Sequence, residues 1–186
     1  MPRAVFLDRD GTIIEDVGYP HERSDIRFLP RVGEAIKLLN ENRFKVIVVT
    51  NQSGVARGYF TEETVKEING YIQETLAREG ASIHKFYYCP HHVDGTIGEY
   101  RQDCYCRKPN PGMIEEAVRE FDIDVKNSFA IGDKSSDIEA GHRAGCKTIL
   151  LASEDHLNKE KESALIADYI ATDLYEAVKL LVDFSS

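Results

Sequence analysis

Short, continuously apolar runs alternate along this chain with longer stretches of helical spacing. The first run, Val5-Phe6-Leu7, stops abruptly at Asp8-Arg9-Asp10-Gly11-Thr12. Runs that are apolar at every position suit strands buried on both faces, as in parallel sheets. Pro30 then opens an amphipathic helix with Val32, Ala35, Ile36, Leu38 and Leu39 on one face. Phe44 to Val49 predicts a second strand, closed by Thr50-Asn51-Gln52-Ser53-Gly54. A long helix follows from Thr61, its N-cap, to about Glu79, with Val65, Ile68, Ile72 and Leu76 at helical spacing. Ile83 to Tyr88 predicts a third strand. Asn110-Pro111 places a cap and an N1 proline before a helix that buries Met113, Ile114, Ala117, Val118 and Phe121. Ser128 to Ile131 is a fourth strand ending in Gly132-Asp133-Lys134-Ser135-Ser136-Asp137, and a short helix runs to Ala144. Lys147–Leu151 and Tyr169–Ala171 complete the predicted strands, and Asp173 caps a last helix through Val182.

This order predicts an α/β fold built on a doubly wound, mainly parallel sheet with helices on both faces. Residues 1–186 are expected to form one domain. The connection over 13–29 is too short for a cap domain, and 89–108 is a loop without a period of its own. Strands of an open parallel sheet deliver the residues that follow them to one common edge, where such folds keep their ligand crevice. Asp8/Asp10, Thr50/Asn51 and Asp133/Asp137 therefore converge, which an Asp-Gly turn standing alone would not require.

Composition narrows the partners. Lys and Arg number 23 against 32 Asp and Glu, for a net charge of −9. Such a balance disfavours nucleic-acid backbones, which need basic stripes. No apolar run reaches the ~18 residues of a transmembrane helix, and no secretory leader is visible. A cytoplasmic, non-membrane, monomeric protein is expected.

The converging groups suit phosphoryl transfer, in which magnesium takes one or two carboxylates plus phosphate oxygens and nearby cations neutralise the remaining charge. Asp8 can attack phosphorus, and a second carboxyl two positions on can protonate the leaving alcohol and then activate water. Arg107-Lys108-Pro109 supplies two cations before a helix start. Cys89, His91, His92, Cys104 and Cys106 crowd a polar loop. Three thiolates and one imidazole form a closed tetrahedral set for structural zinc, and spacing alone leaves His91 and His92 as competing ligands. Cys146, standing apart, reads as a small core residue.

DRDGT, VVTN, RKP and GDKSSD, in this order, resemble the four signature motifs of haloacid-dehalogenase-type phosphatases. FLDRDGTI, Asp16-Val17-Gly18-Tyr19-Pro20-His21, VVTNQSGVARGYF, YYCPHH and CRKPNPGM are similar to its heptose-bisphosphate phosphatase group, more so than to its histidinol-phosphate phosphatases. The resemblance implies a Rossmann-like phosphatase without a cap domain, acting on a small phosphorylated sugar in nucleotide-activated heptose and lipopolysaccharide synthesis. It implies Asp8 as nucleophile and Asp10 as acid/base. Thr50 and Lys108 would hold the phosphoryl oxygens. Asp8, the carbonyl of Asp10 and Asp133 would hold magnesium, with Asp137 as an assisting acid. Asp16, Val17, Gly18, Tyr19, Thr50, Asn51, Gln52, Ser53, Arg107, Lys108 and Lys134 would line the substrate site. Cys89, His91, Cys104 and Cys106 would hold zinc. Arg107, able to form a bidentate pair, suits a second phosphate, and Arg57 is another candidate for it. The alternatives are a histidinol-phosphate phosphatase and, from another class, a zinc-stapled binding module without catalysis.

Overall fold

A computed structural model describes residues 1–152 and 166–183. The six predicted strands form one sheet: β1 Ala4–Leu7, β2 Lys45–Asn51, β3 Lys85–Cys89, β4 Phe129–Gly132, β5 Lys147–Leu151 and β6 Tyr169–Ala171. Every pairing is parallel and the order is β3-β2-β1-β4-β5-β6. The chain winds outward to β3, then crosses back to β4 on the other side of β1. Asp8 therefore sits at the switch point between β1 and β4, where doubly wound sheets open their crevice.

Helices cover both faces: α1 Val32–Glu41, α2 Glu62–Arg78, α3 Gly112–Phe121, α4 Ser135–Ala144 and α5 Leu174–Asp183. Val5 and Leu7 face a core shared with Ile36, Leu39, Ile72, Leu76 and Leu181. Ala4 and Phe6 face the opposite core, with Met113, Ile114, Ala117 and Ala140. Burial on alternate sides explains why β1 is apolar throughout. Thr61 accepts from the backbone N–H of Thr64 at 3.4 Å, and Asp173 from that of Glu176 at 2.8 Å, so both predicted caps are formed.

Several boundaries differ from expectation. α1 starts at Val32 with Arg31 at its N-cap, so Pro30 precedes the helix rather than opening it, and β4 runs over Phe129–Gly132 rather than from Ser128 to Ile131. β2 continues through Thr50 and Asn51, because both pair with β3. β3 starts later and ends on Cys89, which makes that cysteine part of the sheet. α3 begins at Gly112 rather than at Pro111 and has no side-chain cap. Asn110 is spent elsewhere, donating to the Cys104 carbonyl at 3.4 Å and accepting from Arg143 at 3.3 Å.

The 13–29 connection is pinned to the sheet edge by bridges Asp10–Ile14 and Ile14–Phe28, with one 3-10 turn at Arg23–Asp25. Among the described residues no separate cap domain stands over the crevice, and no helix is long and apolar enough to cross a membrane.

Candidate active site

Two of the glycines at the carboxyl edge are there for space. A Cβ on Gly11, at φ +96°, would collide with the Asp133 carboxylate, and one on Gly132 with that of Asp137. Removing both side chains lets four acidic residues crowd together at the sheet edge.

At the inner end of the crevice Lys108 lies between two of them. Its Nζ is 2.7 Å from Asp8 Oδ1, 2.6 Å from Asp137 Oδ1, and donates to the Val49 carbonyl at 2.7 Å. Burial opposes the lysine's charge, and the Asp137 and Asp8 carboxylates overcome it, holding the ammonium above its ordinary range. Burial pushes the Asp8 carboxyl up, against the pull of Lys108. Asp137 also accepts the Lys134 backbone N–H at 3.1 Å, which fixes it to the first turn of α4. A cavity of about 50 Å³ opens here, lined by Asp8, Asp10, Thr50, Asn51, Lys108, Lys134, Ser136 and Asp137.

Asp8, Asp133 and Asp137 each offer an oxygen within 4.8 Å of the others. Asp133 Oδ1 is buried with no hydrogen-bond partner. Burial, and then the Asp8 charge, raise the Asp133 carboxyl to about 7. An orphaned carboxylate oxygen among like charges fits a hard divalent cation. The side chains so gathered are Asp8, Asp133 and Asp137. The Asp10 carboxylate turns away, towards Arg9, so Asp10 has only its carbonyl to offer a cation.

Arg9 donates to Asp10 through Nε at 3.1 Å and Nη2 at 3.2 Å. Gln52 reaches Asp10 Oδ2 at 2.9 Å and Thr50 Oγ1 reaches it at 3.4 Å. Asn51 borders both cavities, and its amide bonds the Lys108 backbone N–H and carbonyl, each at 3.0 Å. It thereby ties the tip of β2 to the loop that carries Lys108.

The outer end is a cavity of about 320 Å³ lined by Asp10, Asp16, Gly18, Tyr19, Asn51, Gln52, Ser53, Arg107, Lys134 and Ser136. Lys134 Nζ is 2.7 Å from Asp16 Oδ2, and Asp16 Oδ1 accepts the Gly18 N–H at 2.9 Å. Partial burial opposes the Asp16 charge, and the Lys134 and Gly18 hydrogen bonds together with the Lys134 and Arg9 charges outweigh it, so that carboxyl lies below its usual value. Tyr19 stands edge-on to Tyr59, ring centres 4.8 Å apart. Arg107 Nη1 donates to the His91 carbonyl at 3.2 Å. Of the residues predicted to line the substrate site, Val17 borders neither cavity and is half exposed. Arg57 also borders neither, and its Nε is buried without a partner.

The cysteine loop closes on itself beside this crevice. Cys89, His91, Cys104 and Cys106 bring their ligand atoms within 4.8 Å of one another. His91 Nδ1 is 3.7 Å from Cys89 Sγ and 3.5 Å from Cys106 Sγ. Tetrahedral zinc with ordinary bond lengths would set such atoms ~3.5–3.8 Å apart. His92 is turned away, accepting the Asp94 N–H at 3.1 Å, so the geometry favours His91. The sulfurs compete for negative charge: the hydrogen bond from Cys106 lowers the Cys89 thiol to about 6, and the same bond pushes Cys106 up. Glu62 of α2 braces the loop, accepting from Tyr88 at 2.6 Å and Tyr100 at 2.8 Å.

Arg9, Ser136 and Asn69 (whose Oδ1 accepts from Arg9 Nη1 at 3.0 Å) are site residues that spacing did not disclose. Arg9 and Ser136 lay inside recognised motifs, DRDGT and GDKSSD, whereas Asn69 lay in none.

Comparison with known proteins agrees with this geometry. A family model described as HAD-hydrolase-like matches residues 105–177. A relative from Photorhabdus laumondii subsp. laumondii, named D-glycero-beta-D-manno-heptose-1,7-bisphosphate 7-phosphatase, is 45% identical, with 95% of each chain covered. A second from the same organism, named for the alpha anomer, is 38% identical over 91% of this chain and 93% of its own. The crystal structure of D,D-heptose 1,7-bisphosphate phosphatase from B. bronchiseptica, complexed with magnesium and phosphate, matches with TM-score 0.86 at 29% identity. That match covers 98% of this chain and 99% of the other.

Proposed function

The chain belongs to the haloacid-dehalogenase-type heptose-bisphosphate phosphatases, and we propose that it hydrolyses the C7 phosphate of D-glycero-D-manno-heptose 1,7-bisphosphate. The observation that carries this reading is the divergence of two consecutive cations. Lys108 reaches the inner cavity and Arg107 lines the outer one. A substrate with one phosphate at each end matches that pair.

In the first step an oxygen of Asp8 attacks phosphorus while the bond to the C7 oxygen breaks, and Asp10 gives that oxygen a proton. Water then attacks the aspartyl phosphate, Asp10 takes its proton, and Asp8 returns as carboxylate with release of inorganic phosphate. Lys108 spends its donors on Asp8, Asp137 and Val49, so a phosphoryl oxygen takes the place of one of these acceptors. Thr50, whose hydroxyl donates only over a long 3.4 Å to Asp10 Oδ2, would turn it to a second phosphoryl oxygen. Asp8 and Asp133, with the Asp10 carbonyl and Asp137, would hold magnesium, which screens the charge of the phosphate from the attacking carboxylate. Zinc in the Cys89, His91, Cys104 and Cys106 set would be structural, since four protein ligands leave no open position.

A histidinol phosphate would bring its own cations towards Arg107 and Lys134, and the nearby Asp16 carboxylate is already paired with Lys134. The product here is a heptose 1-phosphate suited to nucleotide activation. The test is magnesium-supported phosphate release from the heptose bisphosphate and from histidinol phosphate, with wild type and Asp8→Asn. The reading expects a higher kcat/KM for the bisphosphate and a loss of at least ~10⁴-fold in the variant. Equal release by both proteins would remove Asp8 as nucleophile, and a preference for histidinol phosphate would remove the substrate.

A further inference from the structure

The acid/base carboxylate is held from behind by a guanidinium that no step above uses. Arg9, the residue between the two motif aspartates, is 1% exposed. A buried guanidinium is costly unless its donors are used, and here they are directed at three oxygens on two residues. Nε and Nη2 take the two oxygens of Asp10, at 3.1 and 3.2 Å, and Nη1 takes Asn69 Oδ1 at 3.0 Å. Asn69 is itself buried in the middle of α2, sixty residues away in sequence.

A fork that grips both oxygens fixes the plane of a carboxylate as well as its position. The two oxygens are then unequal. Asp10 Oδ2 receives Arg9 Nε, Gln52 and, at longer range, Thr50, whereas Oδ1 receives Arg9 Nη2 alone among the contacts within hydrogen-bond distance. Oδ1 is the oxygen with lone-pair capacity left for a substrate.

We propose that Arg9, braced by Asn69 from α2, is a positioning residue that orients Asp10 so that Oδ1 is the atom exchanging the proton with the leaving alcohol and with water. The inference rests on the acid/base reading of Asp10 and adds to it the atom and the device that aims it. Placement is worth much here, because general acid–base catalysis requires the donor within hydrogen-bond reach of the reacting oxygen.

The test separates aiming from folding through the leaving group. A nitrophenolate departs without a proton, so the first turnover of p-nitrophenyl phosphate does not need Asp10, whereas an alkyl phosphate does. With the full-length, magnesium-loaded protein, Arg9→Met should lower kcat for a sugar phosphate by ~10²-fold. Its first-turnover nitrophenolate burst should stay within about threefold of wild type. Asn69→Leu should act in the same direction by ~10-fold, and Asn69→Asp, which keeps an acceptor for Arg9, should restore the wild-type ratio between substrates. If Arg9→Met does not fold, the two Asn69 variants carry the test.

Equal losses on both leaving groups would make Arg9 and Asn69 merely structural and overturn the proposal, as would unchanged sugar-phosphate turnover. Asp10→Asn separates the two levels. Sugar-phosphate turnover that survives in it overturns the acid/base reading itself. An inactive Asp10→Asn beside a normal Asn69→Leu overturns only the aiming device.

Discussion

The two ends of the crevice are built on different principles. The inner end is a cavity of about 50 Å³ walled by strand tips, and its charges are buried and mutually engaged. The outer end is about 320 Å³, walled largely by loops, and its Asp16–Lys134 pair is partly exposed. At the inner end the backbone of a parallel sheet positions the groups: Thr50 pairs within β2, and Asp8 and Asp133 directly follow β1 and β4. Loops have no ladder to hold them, and at the outer end Arg107 is tied by a side-chain hydrogen bond to the carbonyl of His91 in the cysteine–histidine cluster. That cluster lies immediately before Arg107 and Lys108 and so serves both ends. Chemistry here is a property of the sheet, while recognition is a property of what has been tied to it.

The sharpest way to break this contrast is Lys108→Met. Removing the ammonium leaves Asp8 and Asp137 buried without their shared counter-charge, a loss that typically costs ~3–5 kcal/mol. Turnover should fall ~10³-fold, and thermal unfolding without added magnesium should move down with it. A variant that lost turnover but kept its melting temperature would mean that the inner end is not held together by this ion triad.

Cys104→Ser should come next and should touch both ends. Opening the cluster frees the turn into Arg107 and Lys108, so kcat should fall and KM for the bisphosphate should rise, together by ~10²-fold in kcat/KM. Full activity after quantitative zinc removal would detach the loop from function. Arg107→Ala should be narrower still. KM for the bisphosphate should rise ~10- to 100-fold through loss of a bidentate phosphate contact, while kinetics with a small monophosphate stay close to wild type. Equal effects on the two substrates would place Arg107 at the inner end.

The same contrast governs what the sequence disclosed. Strand ends were legible because a strand buried on both faces is apolar throughout, so its first polar residue marks the edge of the sheet. Asp8, Thr50 and Asp133 were found in that way, and the Thr61 and Asp173 caps from local chemistry alone. Arg9 was hidden because alternation along β1 stops at Leu7, and its side chain bends round to Asp10 in a direction no pattern encodes. Asn51 was placed at the right edge and borders both cavities, but its tie to the loop that carries Lys108 was not legible. Its contact with the Lys108 backbone depends on a loop 57 residues away. Val17 fell outside both cavities because a loop contiguous in sequence need not present each residue to the same space. Asn110 was read as a cap, and the demands of the Cys104 carbonyl and Arg143 drew it elsewhere.

The smallest expected effect tests whether the inner end is built for a cation. Burial, with the Asp8 charge behind it, raises the Asp133 carboxyl from 3.8 to about 7. Without added magnesium the folded protein therefore keeps a proton on Asp133 that the unfolded chain has already released. This contribution favours the fold fully below 3.8 and is lost as pH rises through about 7. Magnesium takes the ionised form, so its binding expels that proton and is weaker on the acid side. A saturable ligand stabilises in proportion to the logarithm of its occupancy ratio. The rise in melting temperature on adding a fixed magnesium concentration should accordingly be larger at pH 8 than at pH 5.5, by a few degrees (~1 kcal/mol for a domain of this size). Asp133→Asn should bind magnesium weakly and flatten the difference between the two pH values. An equal rise at both in the wild type would show that Asp133 already holds its charge unaided, and that the crowding at the inner end is tolerated without a metal.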